Sequence, residues 1–305
     1  MSKRIRDYFA VNDVLEVDTP ALSTFAASDT QIESFEIPSS QVGTQPMFLH
    51  TSPEFCMKRL LCAGYPDIFS ICRVFRDGES GRRHQPEFTM VEWYRLGFGL
   101  DAMIEDTLNM IHAALTGGIV GQEALRFDYR HHFLETVGID PLTASIEALA
   151  DAAGADDTLR QSIGDERNDW LDLLLATRIA PTFDTHRLTV LRHYPASQAA
   201  LARLCPHNPQ VADRFEVFFG TSELANGYVE LSDAREQANR MQQDNQERHR
   251  RGRKVRPRDV SLLAALEHGL PACAGVAVGL ERLQMIYSGS NDIHDVLTFP
   301  FAAAQ

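Results

Sequence analysis

Apolar and polar positions along the chain fall into short blocks of two different periods. Residues 3–8 follow helical spacing, and VLEVDTPALS (14–23) reads as a strand entering a proline-marked turn. Residues 28–46 are polar with mixed strand signals. A helix start follows in HTSPEFCMKRLLCAG: Thr51 or Ser52 can cap it, Pro53 suits its first position and Gly64 ends it. Phe55, Met57, Leu60 and Leu61 supply its apolar stripe. Residues 69–76 and 86–96 then read as two strands around a long polar turn, DGESGRRHQ (77–85). The stretch 100–175 is rich in Ala and Leu at helical spacing, with Gly and Asp breaks. RLTVLRHYP and RFEVFFGTSELANGYVEL read as strands, 232–250 as a long charged helix, and AGVAVGLERLQMIYSG as strand, glycine, helix. Strands joined by hairpin-like turns rather than regular crossover helices predict an α+β fold, an antiparallel sheet flanked by helices. No repeat or low-complexity linker interrupts the 305 residues, so a single domain over 1–305 is expected.

Composition removes several functions. A formal net charge of −13 argues against a protein that lives on nucleic acid, where a basic footprint is the rule. The opening MSKRIRDYFA lacks an apolar signal core, and no apolar run is long enough to span a bilayer. Five cysteines without a CxxC pair fit a reducing, cytoplasmic setting and make a zinc centre unexpected. There is no GxxxxGK[ST] and no GxGxxG, which disfavours a P-loop or a Rossmann dinucleotide site.

Three clusters carry candidate chemistry. In the second hairpin strand, alternation puts Phe88, Met90, Glu92 and Tyr94 on one face and Glu87, Thr89, Val91 and Trp93 on the other. Arg76 ends the first strand beside a turn holding Arg82, Arg83 and His84. A cationic turn next to an aromatic platform suits a nucleoside triphosphate, charge for the phosphates and a π-face for the base. The same residues also make an ordinary half-buried hairpin with a solvated turn. In SELANGYVEL, Asn226, Tyr228 and Glu230 share a strand face, and Glu223 joins them only across a bulge. Carboxylates in an apolar strand need a cation or a metal unless the strand is an edge facing water. In GVAVGLERL, Gly279 precedes a helix with Arg282 in its first turn, an anion site or simply a surface arginine.

Taken in order, KRIRDYFAVNDVLEVDTPALS, ICRVFRDGESGRRHQPEFTMVEWYR and GVAVGLERL resemble motifs 1, 2 and 3 of the class II aminoacyl-tRNA synthetases. TSPEFCMKRLL, HYPASQAALARL and ELANGYVELSDAREQ extend the resemblance over essentially the whole chain, closest to the lysine-specific subgroup and, within it, to free-standing paralogues that modify elongation factor P. Motif 1 begins at the first residues, leaving no room for an N-terminal anticodon-binding domain, so tRNA anticodon binding is not expected.

The resemblance implies ATP-dependent activation of (R)-β-lysine or lysine and its transfer to elongation factor P, with ATP and Mg²⁺ required and a homodimer formed through motif 1. It implies that Arg76 holds the α-phosphate and that Phe88 and Arg282 sandwich the adenine, Arg282 also lying near the γ-phosphate. Arg82 or His84 would touch the outer phosphates, Glu223 would hold Mg²⁺, and Asp77, Gly78, Glu79, Leu224 and Gly279 would complete the ATP site. Ser52, Pro53 and Glu54 would line the amino-acid pocket, with Glu54 on the substrate's backbone-type amine. Gln85, Glu92, Tyr94, Asn226, Tyr228, Glu230 and Ala277 would complete it, with Glu230 and Tyr94 on the side-chain ammonium.

Two departures stand in motif 2: Gly78 replaces the glutamate that normally reads adenine, leaving Glu79 next in line, and Gln85 replaces an asparagine. Ala277 stands where lysyl-tRNA synthetases usually have Gly, a methyl group suited to a β-amino acid. A minimal synthetase that charges an RNA, or an inactive binding paralogue, are the competing readings. RHRRGRKVRPR (248–258) is either a solvated helix end or a docking patch for the protein acceptor.

Overall fold

A computed structural model describes residues 1–38, 45–115 and 123–301; part of the 28–46 and 100–175 stretches therefore lies outside the described residues. Its centre is an eight-stranded sheet in the spatial order Leu15–Glu16, Ile68–Phe75, Glu87–Leu96, Cys273–Gly279, Ser222–Val229, Arg214–Phe219, Leu188–Arg192 and Leu125–Asp128. The interior pairings are antiparallel, and the outermost pairing at each edge is parallel. With helices flanking it, this is the expected α+β architecture.

Period-two alternation decides which face of the sheet is dry. Val91, Trp93, Val190, Phe215, Val217, Val276 and Val278 project to one side. There they pack on the helices Ser2–Val11, Leu100–Ala114 and Leu280–Ser288 through Ile5, Phe9, Ile104, Ile111 and Leu283. Trp93 keeps its indole N–H satisfied in that core by donating to Asp106 at 2.9 Å. A second apolar cluster joins helices Tyr129–Val137, Ile146–Ala153 and Arg167–Leu174 at the far edge. A third seats helix Glu54–Cys62 against helix Val260–His268, an element the sequence pattern did not single out.

The hairpin forms within a residue or two of its expected bounds, in the register Val74 with Phe88 and Ser70 with Glu92. The stretch 14–23 does not form one strand. Leu15–Glu16 joins the main sheet, while Leu22–Ser23 pairs instead with Met47–Leu49. Asp18 and Pro20 lie between the two pieces, and a proline has no N–H to give to a ladder.

Ser222–Val229 is an interior strand and Glu230, just past its end, is buried, so neither Glu223 nor Glu230 stands on a sheet edge. Its register against Arg214–Phe219 slips between Val217 paired with Ala225 and Phe218 paired with Glu223. Leu224 and Ala225 both enter the core, so the bulge turns Glu223 onto the same face as Asn226.

Candidate active site

The polar face of the sheet floors a cavity of about 990 Å³. Three strands build the floor in register: Glu92, Ala277 and Asn226 form one row, and Tyr94, Gly275 and Tyr228 the next. The small residues of the middle strand leave a trough between two polar walls. Gly275 is required there, because a Cβ would lie 2.5 Å from both Glu230 Oε1 and the Tyr94 ring.

One end of the cavity is acidic. Glu54, at the start of its helix, shares Lys58 with Glu230: the ammonium lies 2.7 Å from Glu54 and 2.5 Å from Glu230. Lys58 is 1% exposed. Tyr228 donates to Glu54, while Glu92 accepts from Ser52 Oγ and Tyr94 OH, each at 2.7 Å. Ser52 also accepts the Glu54 N–H, so it anchors the helix start, and Pro53 sits just outside the first turn instead of in it. Burial and the Glu54 charge push Glu92 up to about 7, and burial pushes Glu230 up to about 8 against the pull of Lys58. The Lys58 ammonium is held charged by Glu230 and Glu54, which outweigh its desolvation. Three buried carboxylates thus face one buried cation, and this end of the cavity is short of positive charge.

The other end is cationic. The Arg76 guanidinium lies 5.2 Å from the Phe88 ring centroid and 3.6 Å from Glu79. Arg282 donates to the Glu223 carbonyl at 2.7 Å and lies 3.6 Å from its carboxylate. Its second nitrogen is 2.9 Å from His84 Nε2, which must therefore be the acceptor of a neutral ring. Burial and the nearby Arg282 and Arg76 cations hold His84 below its ordinary range. Gly279 and Leu224 line the wall between these groups.

Other residues of the expected site sit differently. Asp77 gives its N–H to the Glu33 carbonyl, and Gly78 takes a φ of +82°, a left-handed conformation that favours glycine at that turn. Neither lines the cavity, whereas Glu79 does. Arg82 is mostly exposed, beside Asp292, and Arg83 donates to Thr221 across the mouth. Gln85 is buried, but its amide accepts the Phe301 N–H and meets His294, so it pins the C-terminal segment and is not free for a ligand.

Several participants were not singled out from sequence. Lys58 is one; its spacing of four from Glu54 on a helix was the available signal. Arg214 and Glu216 are others, on the polar face of their strand. Arg214 pairs with Glu216 at 2.6 Å and donates to Asn226, and Tyr194 donates to Glu216. Burial and the Glu223 charge raise Glu216 to about 7. Glu216 and Glu223, whose charge opposes the ionisation of Glu216, line one cavity and fit a divalent cation, which relieves that repulsion.

Much of the basic stretch is engaged in ion pairs within the molecule. Arg248 is fully buried and Arg256 nearly so; both pair with Glu33, and Arg256 and Lys254 pair with Glu36. Arg251 pairs with Glu166, Asp169 and Glu247, and Arg253 reaches the Thr30 carbonyl. Arg248, Arg253, Lys254 and Arg256 thereby clamp the segment 28–36, which walls the cavity, while Arg253, Lys254 and Arg258 keep an exposed cationic face.

The sequence model of the tRNA synthetases class II (D, K and N) matches residues 1–303. Curated relatives include a protein of Pseudoalteromonas translucida, 42% identical over 99% of this chain and 93% of its own length. Others come from Photorhabdus laumondii (41%; 98% and 92%) and Vibrio vulnificus (42%; 98% and 93%). All three are named elongation factor P–(R)-beta-lysine ligase. With the fold, the trough and its two charged ends in place, the chain belongs to the class II tRNA synthetase family of the aspartate, lysine and asparagine type.

Proposed function

We propose that the chain is an ATP-dependent ligase. It activates (R)-β-lysine, or lysine, as the aminoacyl-adenylate and passes the acyl group to a lysine ε-amine of elongation factor P, releasing pyrophosphate and then AMP. One observation carries this reading: a single cavity joins a cation-deficient acidic end, Glu54, Glu92 and Glu230 against Lys58, to an arginine end at Arg76 and Arg282. A dicationic amino acid fits the first, a triphosphate the second, and the trough between them is where carboxylate and α-phosphate meet. The names of the relatives support the same substrates.

In the first step a substrate carboxylate oxygen attacks the α-phosphorus and the bond to the β-phosphate oxygen breaks. Two anions must approach, so positioning and charge neutralisation carry the catalysis. Arg76 is assigned to the α-phosphate; Phe88 stacks on the adenine, with Arg282 across it and near the γ-phosphate. Glu79 serves the adenine edge in place of Gly78, and His84, neutral and hydrogen-bonded to Arg282, lies with Arg82 toward the outer phosphates. Glu223 with Glu216 would hold Mg²⁺, which supplies further neutralisation of the triphosphate. Glu230 and Tyr94 take the side-chain ammonium, Glu54 with Tyr228 the other amine, and Ser52 keeps Glu92 oriented. The Ala277 methyl, set between Glu92 and Asn226, narrows the trough beside the substrate's α and β carbons and favours the β-amino acid. In the second step the acceptor amine attacks the acyl carbon, AMP leaves, and the amine proton passes to solvent.

A single catalytic domain acting as a homodimer completes the proposal. The family match over 1–303 and the exposed Val11 and Leu15 of motif 1 support it. The test is transfer of labelled (R)-β-lysine and lysine to purified elongation factor P and, in parallel, to bulk tRNA. Label in elongation factor P is expected; label on tRNA, or on neither acceptor, overturns the reading.

A further inference from the structure

A cluster of side chains able to ligate a metal lies apart from the residues assigned to catalysis. His193, Cys205 and Asp213 come from three segments: the end of strand Leu188–Arg192, the short strand Leu204–Cys205, and the junction before strand Arg214–Phe219. One donor atom from each lies within 4.8 Å of the other two. A tetrahedral zinc site holds its donors about 3–4 Å apart, given metal–ligand bonds of about 2.0–2.3 Å, so a small inward movement closes the set.

Each side chain has a donor to spare. His193 Nδ1 is 2.6 Å from Asp128 Oδ1, which fixes the ring and leaves Nε2 for a metal. That carboxylate–histidine pairing is the outer-shell arrangement that orients metal-bound imidazoles. The His193 backbone is held at φ +59°, a conformation costly for a residue with a side chain, while its N–H donates to the Arg214 carbonyl. Asp213 is buried; one of its carboxylate oxygens accepts from Arg203 at 2.8 Å and the other is free of that contact. Cys205 is a half-buried free thiol.

We propose that His193, Cys205 and Asp213 form a structural zinc site. The mixed nitrogen, sulfur and oxygen set selects a borderline-soft cation over the hard Mg²⁺ that Glu223 and Glu216 suit. On binding, the thiol gives its proton to solvent, and the resulting thiolate and the Asp213 carboxylate balance the dication; a water fills the fourth position. The metal would fasten the hairpin made by Leu204–Cys205 and Asn208–Ala212 to the main sheet. Leu204 of that hairpin lines the catalytic cavity, so the tether reaches the site through packing alone.

The test uses the untagged full-length chain, stripped with a chelator and titrated with Co²⁺. Saturable uptake of one ion per chain is expected, with the visible bands of tetrahedral cobalt and a near-ultraviolet thiolate charge-transfer band, all bleached by Zn²⁺. Cys205→Ala removes the charge-transfer band, and Asp128→Asn, which leaves all three ligands in place, weakens Co²⁺ binding at least roughly tenfold. Thermal melting of each variant establishes that it is folded. Carboxylates such as Glu216 and Glu223 give no thiolate band, so occupancy there is not mistaken for this site. A wild-type chain without a saturable thiolate band, a band that survives Cys205→Ala, or unchanged affinity in Asp128→Asn overturns the proposal.

Discussion

Replacing Lys58 with methionine keeps the bulk of the side chain and removes the one cation that, among the described residues, pairs with Glu54 and Glu230. At an effective dielectric of about 20, a contact of 2.5–2.7 Å is worth about 6 kcal/mol. Two such contacts are opposed by a desolvation penalty of several kcal/mol for each buried ion, and removing one partner of a buried pair typically costs about 3–5 kcal/mol. We expect Lys58→Met to lose about that much in urea unfolding at pH 8.5. The loss should shrink at pH 6. Glu92 and Glu230 already sit at about 7 and about 8, and without Lys58 both rise further and take up protons, which removes the repulsion. The sign follows from linkage: a carboxyl whose folded pKa exceeds its unfolded value favours folding at low pH, and that contribution is lost as pH rises through the folded value. Adding Glu230→Gln to Lys58→Met should recover part of the stability at pH 8.5, since one unpaired charge goes with it. A pH-independent loss, or a double variant less stable than Lys58→Met alone, refutes the charge balance drawn for this pocket.

The same titrations govern binding of the amino acid. KM for lysine or β-lysine in pyrophosphate exchange should fall as pH rises from 6 to 8.5, because Glu230 pairs with the side-chain ammonium only when ionised and Glu92 beside it gains its charge over the same range, whereas KM for ATP should not follow that profile. Arg76→Ala should cut kcat for adenylate formation by about 10²–10³ with little change in the KM for lysine, as expected for a group that acts on developing phosphate charge; a pure KM effect contradicts the role. Glu33→Gln leaves the buried Arg248 and Arg256 without their shared carboxylate and should cost about 3–5 kcal/mol. Limited proteolysis should then cut within 28–36, and an uncut, fully stable variant would show that the clamp does not hold the segment.

Much of the site could be read because strand periodicity is local. Phe88, Met90, Glu92 and Tyr94 share a face by counting alone, and the cavity lies on that face. The bulge at Leu224 could be anticipated as a condition but not located, since it depends on how Phe218 pairs across the sheet. Lys58 was hidden by its type: a lysine on an amphipathic helix is normally solvated, and Glu54 one turn away would leave it so without Glu230, which arrives from a distant strand end to make burial possible. The basic run at 248–258 concealed its internal pairs for the same reason. Its partners Glu33, Glu36 and Glu166 lie far away in sequence, so a pattern that reads as a free cationic surface is in part an internal clamp. The broken strand at 14–23 shows the limit of propensity, because its second half found a different partner strand.

The register that sets Glu92 beside Ala277 and Tyr94 beside Gly275 has a consequence for how the protein is made. Glu54 and Glu92 emerge from the ribosome well before Gly275 and Ala277, which complete the trough. Until they arrive, the hairpin strand Glu87–Leu96 has an open edge, and Glu92 lacks the neighbours that seal it from water. Sheets closed by such distant pairings fold slowly, since loop entropy is lost before contacts compensate. A nascent chain therefore holds half a binding site until those residues arrive, and a product cut short before strand Cys273–Gly279 would have an unpaired hairpin with a tendency to aggregate in place of a weakened enzyme.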